Sequence, residues 1–322
     1  MPARSKWQSL PTEAINPSSL GIDKLSPGDI VDLMISEDRK MLTAVQHERE
    51  RIAVGVEMLT TALRKGGRIV FVGAGTSGRL GILESAEMPP TFSTNPELVQ
   101  AIMAGGHKAT FAAAEGVEDN YEEGARAITR LRPTKKDVVI GVSASGMTPF
   151  VRGAPTRARK SGARIIFVTC DPGTELAMFV DVTIAPAVGA EIIAGSTRLK
   201  AGTATKLVLN MLTTGAMVRI GKTYGNLMVD VQTGSEKLKD RARRIVNIVT
   251  GLGYDEADKL LKSAHWNVKA AIVMHKTGLT YLKAVARLRK AHDSMREALG
   301  EDIEPVLRGM IQGAQEVGSR QT

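Results

Sequence analysis

Short β-branched runs alternate with longer amphipathic stretches between residues 68 and 219, which predicts an α/β protein. The expected architecture is a doubly wound, mostly parallel sheet with helices on both faces. A second observation supports it: a strand–Ser/Gly loop–helix unit occurs twice, at residues 68–88 and 138–161. A third sets its limit. Strand patterns stop near residue 235, so a small helical domain is expected to follow, and an N-terminal helical arm to precede.

In chain order, the first 20 or so residues are polar and proline-dotted and read as an extended arm. Ser26-Pro27 opens a helix, with Ser26 as N-cap and Asp29 in the first turn. Helical spacing continues to about Leu63, and Lys65-Gly66-Gly67 ends it. Arg68–Val72 is a buried strand, followed by a loop from Gly73 to Gly78 and a helix from Arg79, which Pro89-Pro90 are expected to stop. Leu98–Met103 is the second strand. Residues 108–131 have helical period. Val138–Val142 is the third strand and enters the loop Ser143–Thr148, then a helix to Ser161. Arg164–Thr169 and Val182–Ala185 complete the strands, and a long helix spans Lys200–Arg219. The expected domains are 1–55 (arm and helices), 56–235 (sheet domain), 236–300 (basic helical domain) and 301–322 (polar tail).

The chain has 322 residues, 43% apolar and 24% charged, as in ordinary soluble globular proteins. No apolar run is long enough for a membrane helix, and the N-terminus shows no secretory h-region. A single cysteine, Cys170, excludes an internal disulfide and multi-cysteine metal sites. The five histidines are scattered, so no metal site is expected. Together these point to the cytoplasm. Of the net charge of +9, residues 236–300 carry +7, from 14 Lys and Arg against 7 Asp and Glu. Solvated helix faces account for such an excess, and so does a site for nucleic acid or another polyanion. With aromatic residues at 4%, no stacking platform for nucleic acid is visible.

Gly73-Ala74-Gly75-Thr76-Ser77-Gly78 fits GxGxxG between a strand and a helix. A dinucleotide site also needs an acidic residue after the next strand, and here Ala104-Gly105-Gly106-His107 stands there. The hydroxyls suggest another ligand. Thr76, Ser77, Ser143, Ser145 and Thr148 can donate to phosphate oxygens, and each loop offers backbone N–H groups at a helix N-terminus. No GxxxxGK[ST] is present, so a sugar monophosphate fits better than a nucleoside triphosphate. The same residue types also serve as turn formers and N-caps.

The run VGAGTSGRLG…ESAEMPPTF…AEGVEDN…VSASGMTPFV…GAEIIAGSTRLKAGTATKLVLNML…GNLMVDV resembles the N-acetylmuramic acid 6-phosphate etherases, over roughly residues 10–300. The tail TGLGYDEADKLL…NVKAAIVM is similar to that family's small ubiquitin-associated-like domain. The resemblance implies a sugar isomerase (SIS) fold, a homodimer, no cofactor, and no nucleic-acid or membrane partner. It implies cleavage of the D-lactyl ether of N-acetylmuramate 6-phosphate to N-acetylglucosamine 6-phosphate and D-lactate. The family's acid/base positions fall on Glu87, as proton donor, and Glu118, as base. The expected substrate-binding residues are Thr76, Ser77, Gly78 and Arg79 in the first loop region, Ser143, Ser145, Gly146 and Thr148 in the second, and Ser196, Arg198 and Lys200 where the long helix begins. Met88 stands where the family often has cysteine, and Thr197 where serine is common.

An unactivated ether resists direct hydrolysis. Once the sugar opens to its aldehyde, however, the C2 proton is acidic, and its removal lets the enolate expel lactate from C3. That route needs a base, an acid and a phosphate anchor. Two rivals remain: a non-catalytic sugar-phosphate-binding regulator of the glucokinase-regulator type, and an aldose–ketose isomerase.

Overall fold

The computed structural model describes residues 10–319 and separates into two compact units. The first runs to Ala86 and resumes over Asn95–Ala216; the second comprises Glu87–Thr94 and the chain from Met217 onward. The described chain opens with three 3₁₀ turns, Pro11–Glu13, Pro17–Ser19 and Ile22–Lys24, so this part of the arm is turned rather than extended, and residues 1–9 of the expected arm lie outside the described residues. Proline at the first position of two of these turns presets the required φ.

Helix α1 (Pro27–His47) starts as expected, Ser26 Oγ accepting from Asp29 N at 3.2 Å. Helix α2 is Arg49–Arg64, and β1 (Ile69–Gly73) leads into α3 (Gly75–Phe92). Strand β2 (Val99–Met103), α4 (Gly106–Phe111) and α5 (Tyr121–Arg130) follow, then β3 (Val138–Val142), α6 (Pro149–Arg159), β4 (Arg164–Val168), β5 (Val182–Ile184) and α7 (Lys200–Arg219).

The five strands are all parallel, in the order β2-β1-β3-β4-β5. Each strand's alternate residues serve opposite faces. On one face Val70, Val72, Val139, Ile165 and Phe167 pack with Phe150, Val151 and Ala154 of α6. On the other, Phe71 lies under Gly81 of α3, while Ile166 and Ile184 lie under Gly55 of α2. Gly55 also abuts Leu212 of α7, and a methyl group there would meet that side chain at 2.6 Å. Helices therefore cover both faces.

Three sequence expectations are corrected. Helix α3 begins at Gly75, not Arg79, because Gly73 and Gly78 have no side chains: a Cβ on Gly73 would come within 2.6 Å of the Gly78 nitrogen. Pro89 and Pro90 do not stop α3; they lie inside it, and Ser93 N still bonds Pro89 O at 2.9 Å. Proline removes donors toward the preceding turn but leaves its own carbonyl free to accept. The helix ends where Ser93 turns to φ +50°. The helical period of 108–131 is interrupted at Ala112–Gly116, where Gly116 adopts φ +75°.

The second unit has its own core. Helices α8 (Glu236–Thr250), α9 (Tyr254–Ser263), α10 (Val268–Thr277), α11 (Tyr281–Lys290) and α12 (Met295–Leu299) surround Val246, Leu261, Ile272 and Leu288. Lys269 is buried there, bonding Gly221 O and Asp293 O at 2.8 Å each and Asp230 at 2.6 Å. The tail from Glu304 to Ser319 is helix α13. Among the described residues, no helix is long and apolar enough to cross a membrane.

Candidate functional site

Strand order reverses between β1 and β3, and open parallel sheets bind ligands at that switch point, beyond the carboxyl ends of the strands. A cavity of about 380 Å³ lies there. Ala74, Gly75, Thr76 and Ser77 line it from the β1 side, and Val142 to Ser145, Thr148 and Pro149 from the β3 side. Thr197 comes from the loop before α7, and Gly202 and Thr205 from its first turns.

The β1 side is the first turn of an 18-residue helix, whose leading N–H groups have no intrahelical acceptor and whose dipole favours an anion. Gly75 takes φ +52°, which a side chain would strain. On the β3 side Ser143 Oγ and Thr148 Oγ1 are 2.8 Å apart, and Met147 N bonds Ser145 Oγ at 3.3 Å. The two loops thus set hydroxyls and N–H groups around one space. Among the described lining residues there is no lysine, arginine or histidine, so an anion here meets dipoles and hydroxyls rather than a fixed positive charge.

Three carboxylates also reach the cavity: Glu118, Asp119 and Glu13. Glu118 sits on the 3₁₀ turn Val117–Asp119. Val117 packs on the apolar cluster around Phe150, and Asn120 caps α5 by accepting from Glu123 N at 2.9 Å. Pinned on both sides, the turn holds an exposed carboxylate at the cavity rim.

The other expected residues lie elsewhere. Gly78, Gly146, Ser196 and Arg198 are not among the lining residues, and Arg198 is exposed. Arg79 turns its guanidinium onto the end of α4, bonding Thr110 O and Ala109 O at 3.0 Å and Ala112 O at 3.1 Å. Lys200 is buried against Glu37, Nζ to Oε2 at 2.6 Å. Glu191 accepts from the Lys200 and Ala201 N–H groups and so caps α7. Glu87 is exposed, lies in the second unit and does not line the cavity.

A family model described as the glucokinase regulatory protein N-terminal SIS domain matches residues 51–158, from α2 to α6. An N-acetylmuramic acid 6-phosphate etherase of Trichormus variabilis is 51% identical over 290 residues, covering 89% of this chain and 94% of the relative. The chain belongs to the N-acetylmuramic acid 6-phosphate etherase family. The etherase of Synechococcus elongatus is 48% identical over 298 residues, covering 92% of this chain and 97% of that one. Among solved structures, a phosphoheptose isomerase from Francisella tularensis matches with TM-score 0.48 and 19% identity, over 60% of this chain and 99% of that one. The SIS match to this etherase-family chain spans both hydroxyl loops and Glu118. Glu13 lies outside it, on an arm that reads in sequence as polar, proline-dotted and extended.

Proposed function

We propose that this chain cleaves the D-lactyl ether of N-acetylmuramic acid 6-phosphate by eliminating lactate and adding water. The products are N-acetylglucosamine 6-phosphate and D-lactate, which makes the chain a carbon–oxygen lyase of cell-wall amino-sugar recycling. One observation carries the reading: the helix N-terminus and hydroxyl cradle share a cavity with the Glu118 carboxylate. A phosphate fits the first, and a C2 proton needs the second.

With the phosphate on the N–H groups of α3 and the hydroxyls of Thr76, Ser77, Ser143, Ser145 and Thr148, the opened sugar extends toward Glu118. That carboxylate takes the C2 proton. The resulting enolate forms the C2–C3 double bond as the C3–O bond breaks, and an acid protonates the departing lactate oxygen. Water then adds at C3 and a proton returns to C2. Glu87 is assigned as that acid and as the later base for water. The acting species is a homodimer working in the cytoplasm.

Incubating the purified protein with N-acetylmuramate 6-phosphate in deuterated, oxygen-18 water tests the reading. Lactate release, deuterium at C2 and heavy oxygen at C3 are expected. The second reading, suggested by the description of the matching family model, is a non-catalytic sugar-phosphate-binding regulator of the glucokinase-regulator type. Binding without any lactate release would select it.

A further inference from the structure

The etherase route as drawn uses one of the three cavity carboxylates, Glu118, and leaves without work its neighbour Asp119 and one from the N-terminal arm. Glu13 lines the same cavity as Thr76, Ser143 and Glu118, yet it stands 60 positions before Gly73, where the first loop begins. The arm is docked in a defined way. Gly195 N donates to Thr12 O at 3.2 Å, and Leu10 and Thr12 are buried. Asn16 Nδ2 donates to Glu37 Oε2 at 2.9 Å and to Ala190 O at 3.2 Å, while Lys200 holds the same Glu37 oxygen. These bonds fix the chain on both sides of Glu13.

Gly195 completes the arrangement. It adopts φ +76°, and a methyl group there would lie 2.9 Å from Glu13 Oε2. The carboxylate thus occupies space that any side chain at position 195 would take. Gly195 follows β5 and Glu118 follows β2, and these strands form opposite edges of the sheet. Glu118 is therefore carried to the cavity by the segment that follows one edge strand, and Glu13 by an arm docked on the segment that follows the other.

Resting on the etherase reading, we infer that Glu13 contacts the sugar, accepting hydrogen bonds from a hydroxyl or the amide N–H, and so selects for a sugar rather than a bare anion. Charge decides the partner. A carboxylate repels the phosphate dianion, which the hydroxyl and N–H cradle serves, and repels the lactyl carboxylate too. The neutral donors of the amino sugar are what remain, and an ionised acceptor binds them more strongly than a neutral one.

The test is calorimetric binding of two probes, N-acetylglucosamine 6-phosphate and inorganic phosphate, to the unaltered protein, Glu13→Ala and Glu13→Gln. Glu13→Ala is expected to weaken the sugar phosphate about tenfold and to leave inorganic phosphate within about twofold. Glu13→Gln, which keeps an acceptor oxygen, is expected to fall between. Unchanged sugar-phosphate affinity in Glu13→Ala would overturn the inference. Equal weakening of both probes would overturn it as well, since the arm would then act only by holding the cavity together. No turnover is read, so an unaltered protein that binds the sugar phosphate but releases no lactate defeats the etherase reading and leaves this assignment standing.

Discussion

Glu118 and Glu37 show how differently two carboxylates can be used. Glu118 is exposed on a short turn at the cavity rim, where it can exchange a proton with a ligand. In the proposed reaction, Glu118→Gln removes the base, and lactate release should fall by about 10²- to 10⁴-fold. Binding of N-acetylglucosamine 6-phosphate should change little, and calorimetry beside a lactate assay separates the two effects. Glu37 is buried and structural. Burial works to raise its carboxyl, but hydrogen bonds from Lys200, Lys40 and Asn16 outweigh it and bring the pKa down to about 2. A group lowered on folding contributes stability above its unfolded value, 4.5, and loses that contribution as the pH falls toward 2. Glu37→Gln should therefore flatten the fall in melting temperature between about pH 4.5 and 2, as thermal scans across that range would show. An equally steep fall would mean that other groups govern the acid limb. The hydroxyls at the carboxyl ends of β1 and β3 were legible in sequence because strand, loop and helix follow one another there. The Lys200–Glu37 pair was not, since its members stand 163 positions apart and no local pattern joins them.

Among the elements, the strands were readable because β1 and β3 are fully buried apolar runs and the other three are short, mostly apolar runs, all displaced by a residue at most at either end from their expected bounds. The segment between β2 and β3 was not. Its apolar spacing suits one long helix, but the chain breaks after Phe111 and Gly116 takes φ +75°, which divides it. What remains, α4, has only six residues, too few to hold itself by intrahelical bonds. Arg79 supplies the missing support through three bonds to carbonyls at the end of α4. The chain leaving that end carries Glu118. In the proposed reaction Arg79 is thus a positioning residue for the Glu118 turn. Arg79→Met should lower kcat about tenfold, while inorganic phosphate inhibits as before. Combined with Glu118→Gln, it should add little further loss, because the turn no longer presents a base. Weaker phosphate inhibition in Arg79→Met would instead place the guanidinium on the ligand.

At the scale of the whole molecule, the sequence marks a change from strands to helices near residue 235, whereas the chain divides within helices α3 and α7, at Ala86 and Ala216. Periodicity continues through a helix that leaves one core and enters another, so hydropathy cannot mark such a boundary. Glu87 is the first residue of the second unit on α3, while the cavity with Glu118 belongs to the first. It is exposed, as a group serving a neighbouring copy must be. If the proposed homodimer is the acting species, each site can take Glu118 from one copy and Glu87 from the other. Mixing inactive Glu87→Ala and Glu118→Ala proteins under conditions that allow subunit exchange then has a definite outcome. Random pairing makes about half of the dimers mixed, and each mixed dimer holds one site with both glutamates intact and one with neither. Lactate release should recover to about a quarter of that of the unaltered protein, rising with the extent of exchange. If both glutamates act within one copy, every site in the mixture lacks one of them, and activity stays at the level of the separate variants however long exchange proceeds.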